Sequence, residues 1–107
     1  GDDQGYGWAI AKALAEEGAT IIIGTWPPIL RIFEMSWEQG KFDESRKLSD
    51  GSLFQIAKVY PFDATFDNTQ DIPQEVLDNK RYKDLKRYTI SEVAEDIEKE
   101  FGKIDIV

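Results

Sequence analysis

The chain has 107 residues, the size of a single domain, and its 41% hydrophobic and 12% aromatic content suits one buried core and exceeds what a disordered chain carries. Its 21 acidic and 13 basic residues give a formal charge of -8, which repels a phosphate backbone or an anionic bilayer and argues against nucleic acid or a membrane surface as partner. With neither cysteine nor histidine, a disulfide framework, a thiolate or zinc site and a Ser-His-Asp triad are excluded from these residues.

In residues 6–17 the apolar side chains Trp8, Ile10, Ala11, Leu14 and Ala15 recur at spacings of three and four, and Gly18 supplies a stop, so the pattern predicts an amphipathic helix. Residues 19–24 follow as a β-branched run bounded by glycines, the pattern of a strand buried on both faces of a parallel sheet. Pro27 and Pro28 suit a first helical turn, which predicts a helix over 28–37 with Ile29, Ile32, Phe33 and Trp37 inward and an end at Gly40. The tetrad Ser49-Asp50-Gly51-Ser52 lies between RKL and LFQIAKV and predicts a hairpin, whose second strand continues through Val59 and Tyr60 into Phe62.

Asp63, Asp67, Asn68 and Asp71 then mark a polar loop, 73–79 a short helix, and KRYKDLKRY an exposed basic connector. Thr89-Ile90-Ser91-Glu92 fits a capping box, and the helix behind it reaches Phe101 with Val93, Ala94, Ile97 and Phe101 on one face. Residues 104–107 read as the start of another buried strand. The longest apolar run, around 19–23, is far short of the roughly 20 residues a membrane span needs. No signal peptide precedes the opening glycines, so the expectation is a soluble, intracellular protein rather than a secreted one. Alternation of helix and apolar strand predicts an α/β domain with parallel strands, in one partial dinucleotide-binding unit over 1–107.

The opening GDDQGYG carries the chemistry. A glycine-rich turn entering a helix lets backbone approach a pyrophosphate, and the free amides and dipole of the helix start attract its charge. Gly1, Gly5 and Gly7 meet that need in spacing, although the strand that should precede the motif is absent ahead of Gly1. The second strand ends in Gly24-Thr25-Trp26-Pro27 rather than in the usual ribose-binding acid, and Trp26 could lie against an adenine ring or simply anchor the second helix. The absence of an arginine directly after that strand argues against a phosphorylated cofactor. Glu92, Glu95, Glu98 and Glu100 read as a solvated helix face and not a metal site.

GDDQGYGWAIAKALAEEGA, GTWPPILRIF, GKFDESRKLSDGSL, VYPFDATFD and NKRY, in that order, resemble the enoyl-acyl-carrier-protein reductases of the plant, chlamydial and apicomplexan type, within the short-chain dehydrogenase superfamily. The resemblance runs over essentially the whole chain. It implies a Rossmann-like, doubly wound parallel sheet, incomplete here because the first strand and the C-terminal half are absent, with a β-hairpin insertion. It also implies an NADH-dependent reduction of trans-2-enoyl thioesters in fatty-acid synthesis, an acyl-carrier-protein-linked substrate, a homotetramer, and a bacterial cytoplasmic or plastid location. Gly1, Gly5 and Tyr6 would lie along the phosphate and ribose region of NAD, Trp26 would take the adenine side, and Phe62, Asp63, Ala64 and Thr65 would close around the adenine, with Asp63 accepting from its amino group. Lys80, Arg81, Lys83, Lys86 and Arg87 could meet an acidic carrier protein, although a solvated connector is the simpler reading.

The family's catalytic tyrosine and lysine are expected beyond position 107. Tyr6, Tyr60, Tyr82 and Tyr88 are outside that motif, so no catalytic residue is assigned and the chain alone is expected to be inactive. Lacking a central strand, which forfeits several buried side chains at roughly 1.5–3 kcal/mol each, the isolated chain is expected to be partly unfolded. A 3-oxoacyl thioester reductase of the same superfamily and a noncatalytic truncated nucleotide-binding or interaction module are the alternatives. The former is not expected to carry the segment 27–53.

Overall fold

The computed structural model describes residues 4–105. Helix α1 (Tyr6–Glu16) is followed by strand β1 (Ile21–Thr25) after a turn that needs the left-handed conformation of Gly18, φ +86°. A 3-10 turn at Pro27–Ile29 leads into α2 (Leu30–Glu38), and a 3-10 turn at Glu44–Arg46 precedes β2 (Ile56–Pro61). Beyond β2 lie a 3-10 turn at Thr69–Asp71, a single helical turn α3 (Gln74–Leu77) and α4 (Ile90–Phe101).

The strands pair in parallel, Ile22 opposite Lys58 and Thr25 opposite Pro61, with an irregularity between Ile21 and Ile22. A parallel pair needs a long crossover, and α2 lies within it. Trp8 of α1, Phe33 of α2, Phe42 and Phe54 form a buried aromatic core against one face of the sheet, with Ile23 and Val59 packed on it. The Trp8 ring stands 5.2 Å from both Phe42 and Phe54, and its indole N–H donates to the Ser45 carbonyl at 3.1 Å. On the other face, Glu100 of α4 accepts from Lys58 and from the Tyr60 hydroxyl, each at 2.7 Å. Helices on both faces of a parallel sheet give the α/β arrangement anticipated from the alternating pattern, doubly wound as the resemblance implies.

Among the described residues the sheet has these two strands only, and the edge of β1 away from β2 carries no partner strand. Along it runs an open trench of about 960 Å³, lined from α1 by Ile10 and Leu14 and from α4 by Ala94 and Ile97. Ile10 and Ala94, both members of the predicted apolar faces, are exposed because they line this open trench. Ile32, also expected inward, is 64% exposed, because α2 turns Phe33 into the core instead.

Three further expectations change. The hairpin contracts to one antiparallel bridge, Lys47 to Leu53, closed by Asp50, which accepts from the Ser52 amide at 2.9 Å; residues 56–61 pair with β1 instead. The basic connector is not wholly exposed: Tyr82 and Tyr88 are buried in a second cluster with Phe66. Residues 102–105 form no strand, and the rest of that expectation, 106–107, lies outside the described residues. No described helix is long and apolar enough to cross a membrane.

Candidate functional site

An 11-residue helix and a five-residue strand are each about 16 Å long. Joined by a tight turn, α1 and β1 therefore run antiparallel, and the N-terminus of α1 returns to the C-terminal end of β1. That end is shared by Trp26 and, one strand over, by Phe62 to Thr65, the side of an open parallel sheet where ligands bind. Gly7, Thr25 and Phe62 line the same trench.

Gly5 is the N-cap of α1 in extended conformation and has no side chain of its own to cap the first amides, and an added Cβ there or at Gly7 would meet nothing within 4 Å. These amides stand at the positive end of the helix dipole, where negative charge is favoured. Tyr6 is 91% exposed. Gly1 lies outside the described residues. Trp26 is 45% exposed, so its indole is not committed to the core as an anchor of α2 would be; the Arg81 guanidinium lies over the ring, 5.0 Å from its centroid.

Close approach of the two strand ends depends on Gly24. A Cβ there would stand 3.0 Å from the Phe62 Cβ and 3.1 Å from its Cδ1. At the same junction the Phe62 amide donates to the Thr25 carbonyl at 2.7 Å. The next residue, Asp63, has its amide donated to the Tyr88 carbonyl at 2.8 Å, while Ile90 at the head of α4 donates to Phe66 at 3.0 Å. The loop after β2 is thus tied at both ends to the start of α4. Thr89 caps that helix, accepting from the Glu92 amide at 3.4 Å and donating its hydroxyl to the Glu92 carboxylate at 2.6 Å, so the glutamate half of the expected box falls on the hydroxyl.

Asp63 is 6% exposed. One carboxylate oxygen accepts from the Thr65 amide at 3.0 Å and the other from the Tyr82 hydroxyl at 2.9 Å. Burial raises its pKa, but the Thr65 hydroxyl and amide, the Tyr82 hydroxyl and the Trp26 indole together outweigh it and hold the carboxyl below the ordinary range. In return, burial and the bond to Asp63 push Tyr82 up to about 12. The group at the sheet end is therefore an ionised acceptor at neutral pH. Ala64 and Thr65 beside it are exposed, and Phe62 is half-buried.

The predicted residues on the adenine side, Trp26 and the 62–65 loop, thus come together in one cluster. Tyr82, which was not among the predicted site residues, also belongs to this cluster. Its signal was present: Tyr82, Leu85 and Tyr88 recur every three residues, and all three pack in the second cluster. Of the other candidates, Arg87 is engaged by Glu95 at 3.1 Å and Asp96 at 3.0 Å, and Glu92 lies 3.8 Å from it. Glu100 is spent on Lys58 and Tyr60.

No family model matches the sequence. Among curated proteins, the chain is 59% identical over 106 residues to the chloroplastic enoyl-[acyl-carrier-protein] reductase [NADH] 1 of Oryza sativa subsp. japonica. It is 58% identical over 106 residues to the chloroplastic enzyme of the same description from Arabidopsis thaliana. Over its length the chain is similar to these enoyl-acyl-carrier-protein reductases. Each alignment covers 99% of this chain, which spans 28% of the rice relative and 27% of the Arabidopsis one. The crystal structure of the Plasmodium berghei enoyl-acyl-carrier-protein reductase with triclosan superposes on 96% of the chain, and on 36% of that protein, with a TM-score of 0.92 and 45% identity. At that identity the likeness extends to the reductase fold, with the two-strand parallel sheet as its incomplete Rossmann-like core.

Proposed function

We propose that this chain is the cofactor-binding part of an NADH-dependent enoyl-acyl-carrier-protein reductase of fatty-acid synthesis, acting on trans-2-enoyl thioesters linked to the carrier protein. The observation that carries the reading is the meeting of a half-exposed indole and an ionised, donor-held Asp63 at the C-terminal ends of two parallel strands, in a chain 59% identical to a reductase named for NADH. The residues fit the cofactor. Asp63 offers an acceptor to the adenine amino group, Trp26 a flat apolar face, and the uncapped start of α1 offers amides to the pyrophosphate. Gly1, Gly5 and Tyr6 follow the phosphates and ribose, while Phe62, Ala64 and Thr65 close around the adenine.

When bound, NADH supplies the hydride that reduces the enoyl double bond; the residues of this chain bind and orient it, and none is assigned to the chemical step. The working protein is a homotetramer, located in the plastid as the names of the rice and Arabidopsis relatives specify for those proteins. The test is oxidation of NADH by the full-length protein with a crotonyl thioester. Turnover supports the reading, reduction of a 3-oxoacyl thioester in its place makes the protein a ketoreductase, and nucleotide binding without turnover makes it a noncatalytic module.

A further inference from the structure

Arg81 and Tyr82 are consecutive, yet they reach two different members of the site. The Arg81 guanidinium covers the Trp26 ring and the Tyr82 hydroxyl donates to Asp63. Asn79 fixes the segment that presents them: its side-chain oxygen accepts from the Arg81 amide at 2.8 Å and its carbonyl from the Tyr82 amide at 2.9 Å. Behind, the Tyr82 ring packs 5.3 Å from Tyr88, whose carbonyl holds the Asp63 amide. Backbone and side chain of Asp63 are therefore both set by residues 82–88, far from the glycine turn in sequence. A carboxylate on a short side chain swings through its terminal torsion freely unless both oxygens are tied. Here one oxygen is tied within its own loop, by the Thr65 amide, and the other accepts from the Tyr82 hydroxyl.

We infer that the Asn79-Lys80-Arg81-Tyr82 segment is a clamp on the adenine end of the site, with Tyr82 a positioning residue that aims Asp63 and Arg81 one that steadies Trp26. This rests on the adenine-side reading given above. The clamp makes the site selective for a purine that presents an amino donor over one that presents a carbonyl oxygen, since an aimed, ionised acceptor repels the latter.

The test compares KM for NADH with KM for reduced nicotinamide hypoxanthine dinucleotide, in which oxygen replaces the amino group, using the full-length protein. Wild type prefers NADH, and D63N removes the preference. Y82F lowers it about fivefold, the equivalent of one hydrogen bond's orientation, with kcat at saturating NADH and KM for the enoyl substrate retained. R81A raises KM for both dinucleotides by the same factor and leaves their ratio alone. If Y82F does not fold, N79A, which releases the turn and keeps hydroxyl and carboxylate, lowers the ratio instead. Loss of preference in D63N with an unchanged ratio in Y82F, or in N79A where that replaces it, overturns the clamp and leaves the adenine site standing. An unchanged ratio in D63N overturns the adenine site itself.

Discussion

Replacing Gly24 by alanine perturbs the junction on which the site is built. The new Cβ would stand 3.0, 3.1 and 3.3 Å from the Phe62 Cβ, Cδ1 and Cγ, against roughly 3.5–4.0 Å for carbon atoms at their optimum. Rotation of the Phe62 side chain about its Cα–Cβ bond relieves the last two contacts but not the first, because the Cβ position is set by the backbone. The strand ends must then part by a few tenths of an ångström, against the 2.7 Å bond from the Phe62 amide to the Thr25 carbonyl. Overpacking of this kind costs about 1–3 kcal/mol, and it also displaces the loop that carries Asp63. In the full-length protein, thermal unfolding of G24A should fall by several degrees, and its affinity for NADH should fall in parallel. G7A is the control for stability, since a Cβ at that helical position meets nothing within 4 Å and alanine favours the helix. A G24A protein with the melting temperature and NADH affinity of wild type would refute the close-approach argument.

Trp8→Phe keeps most of the aromatic packing but leaves the Ser45 carbonyl without the indole donor, so denaturant unfolding should show a loss of about 1–2 kcal/mol. Asp63 has a lower pKa folded than unfolded, so its contribution is present above the ordinary carboxylate value near 4 and is lost as pH falls through the folded value. Acid titration of stability should accordingly be shallower in D63N below about pH 4. At the alkaline end, burial and the Glu100 bond push Tyr60 up to about 12. Its contribution is fully present below the unfolded value of about 10 and lost as pH rises through the folded one, so Y60F should flatten the loss of stability over that interval. Lys58→Ala removes a half-exposed ion pair with Glu100, and a change of no more than about 1 kcal/mol is expected in chemical unfolding.

Much of the fold was legible where the signal is local. Helices α1 and α4 carry both a period and an end: Gly18 and Gly102 each take a left-handed φ, and Thr89 caps α4 with its hydroxyl. Strand β1 showed itself as a β-branched run between glycines. What depends on distant partners was harder to read. The turn at Asp50 closes as its own chemistry dictates, yet residues 56–61 pair with β1, some 35 residues back, so local turn signals could not choose between the two partners. Periodicity assigned Ile32 an inward direction, but one helix face cannot show which of two adjacent apolar residues the core accepts, and it accepted Phe33. In KRYKDLKRY the charges obscured a three-residue spacing of Tyr82, Leu85 and Tyr88, and with it the donor that meets Asp63. The residues proposed for the adenine side stand out in the sequence as motif members, whereas their mutual contacts, Trp26 under Arg81 and Asp63 against Tyr82, arise only when two strand ends and the later connector converge.

The central claim, that the ends of β1 and β2 hold the adenine of NADH, is tested most directly by a crystal structure of the full-length protein with the dinucleotide bound. The account predicts the adenine amino nitrogen about 3 Å from an Asp63 carboxylate oxygen, with Trp26 bordering the same base and the pyrophosphate at the start of α1. An adenine seated away from both Asp63 and Trp26 would contradict it.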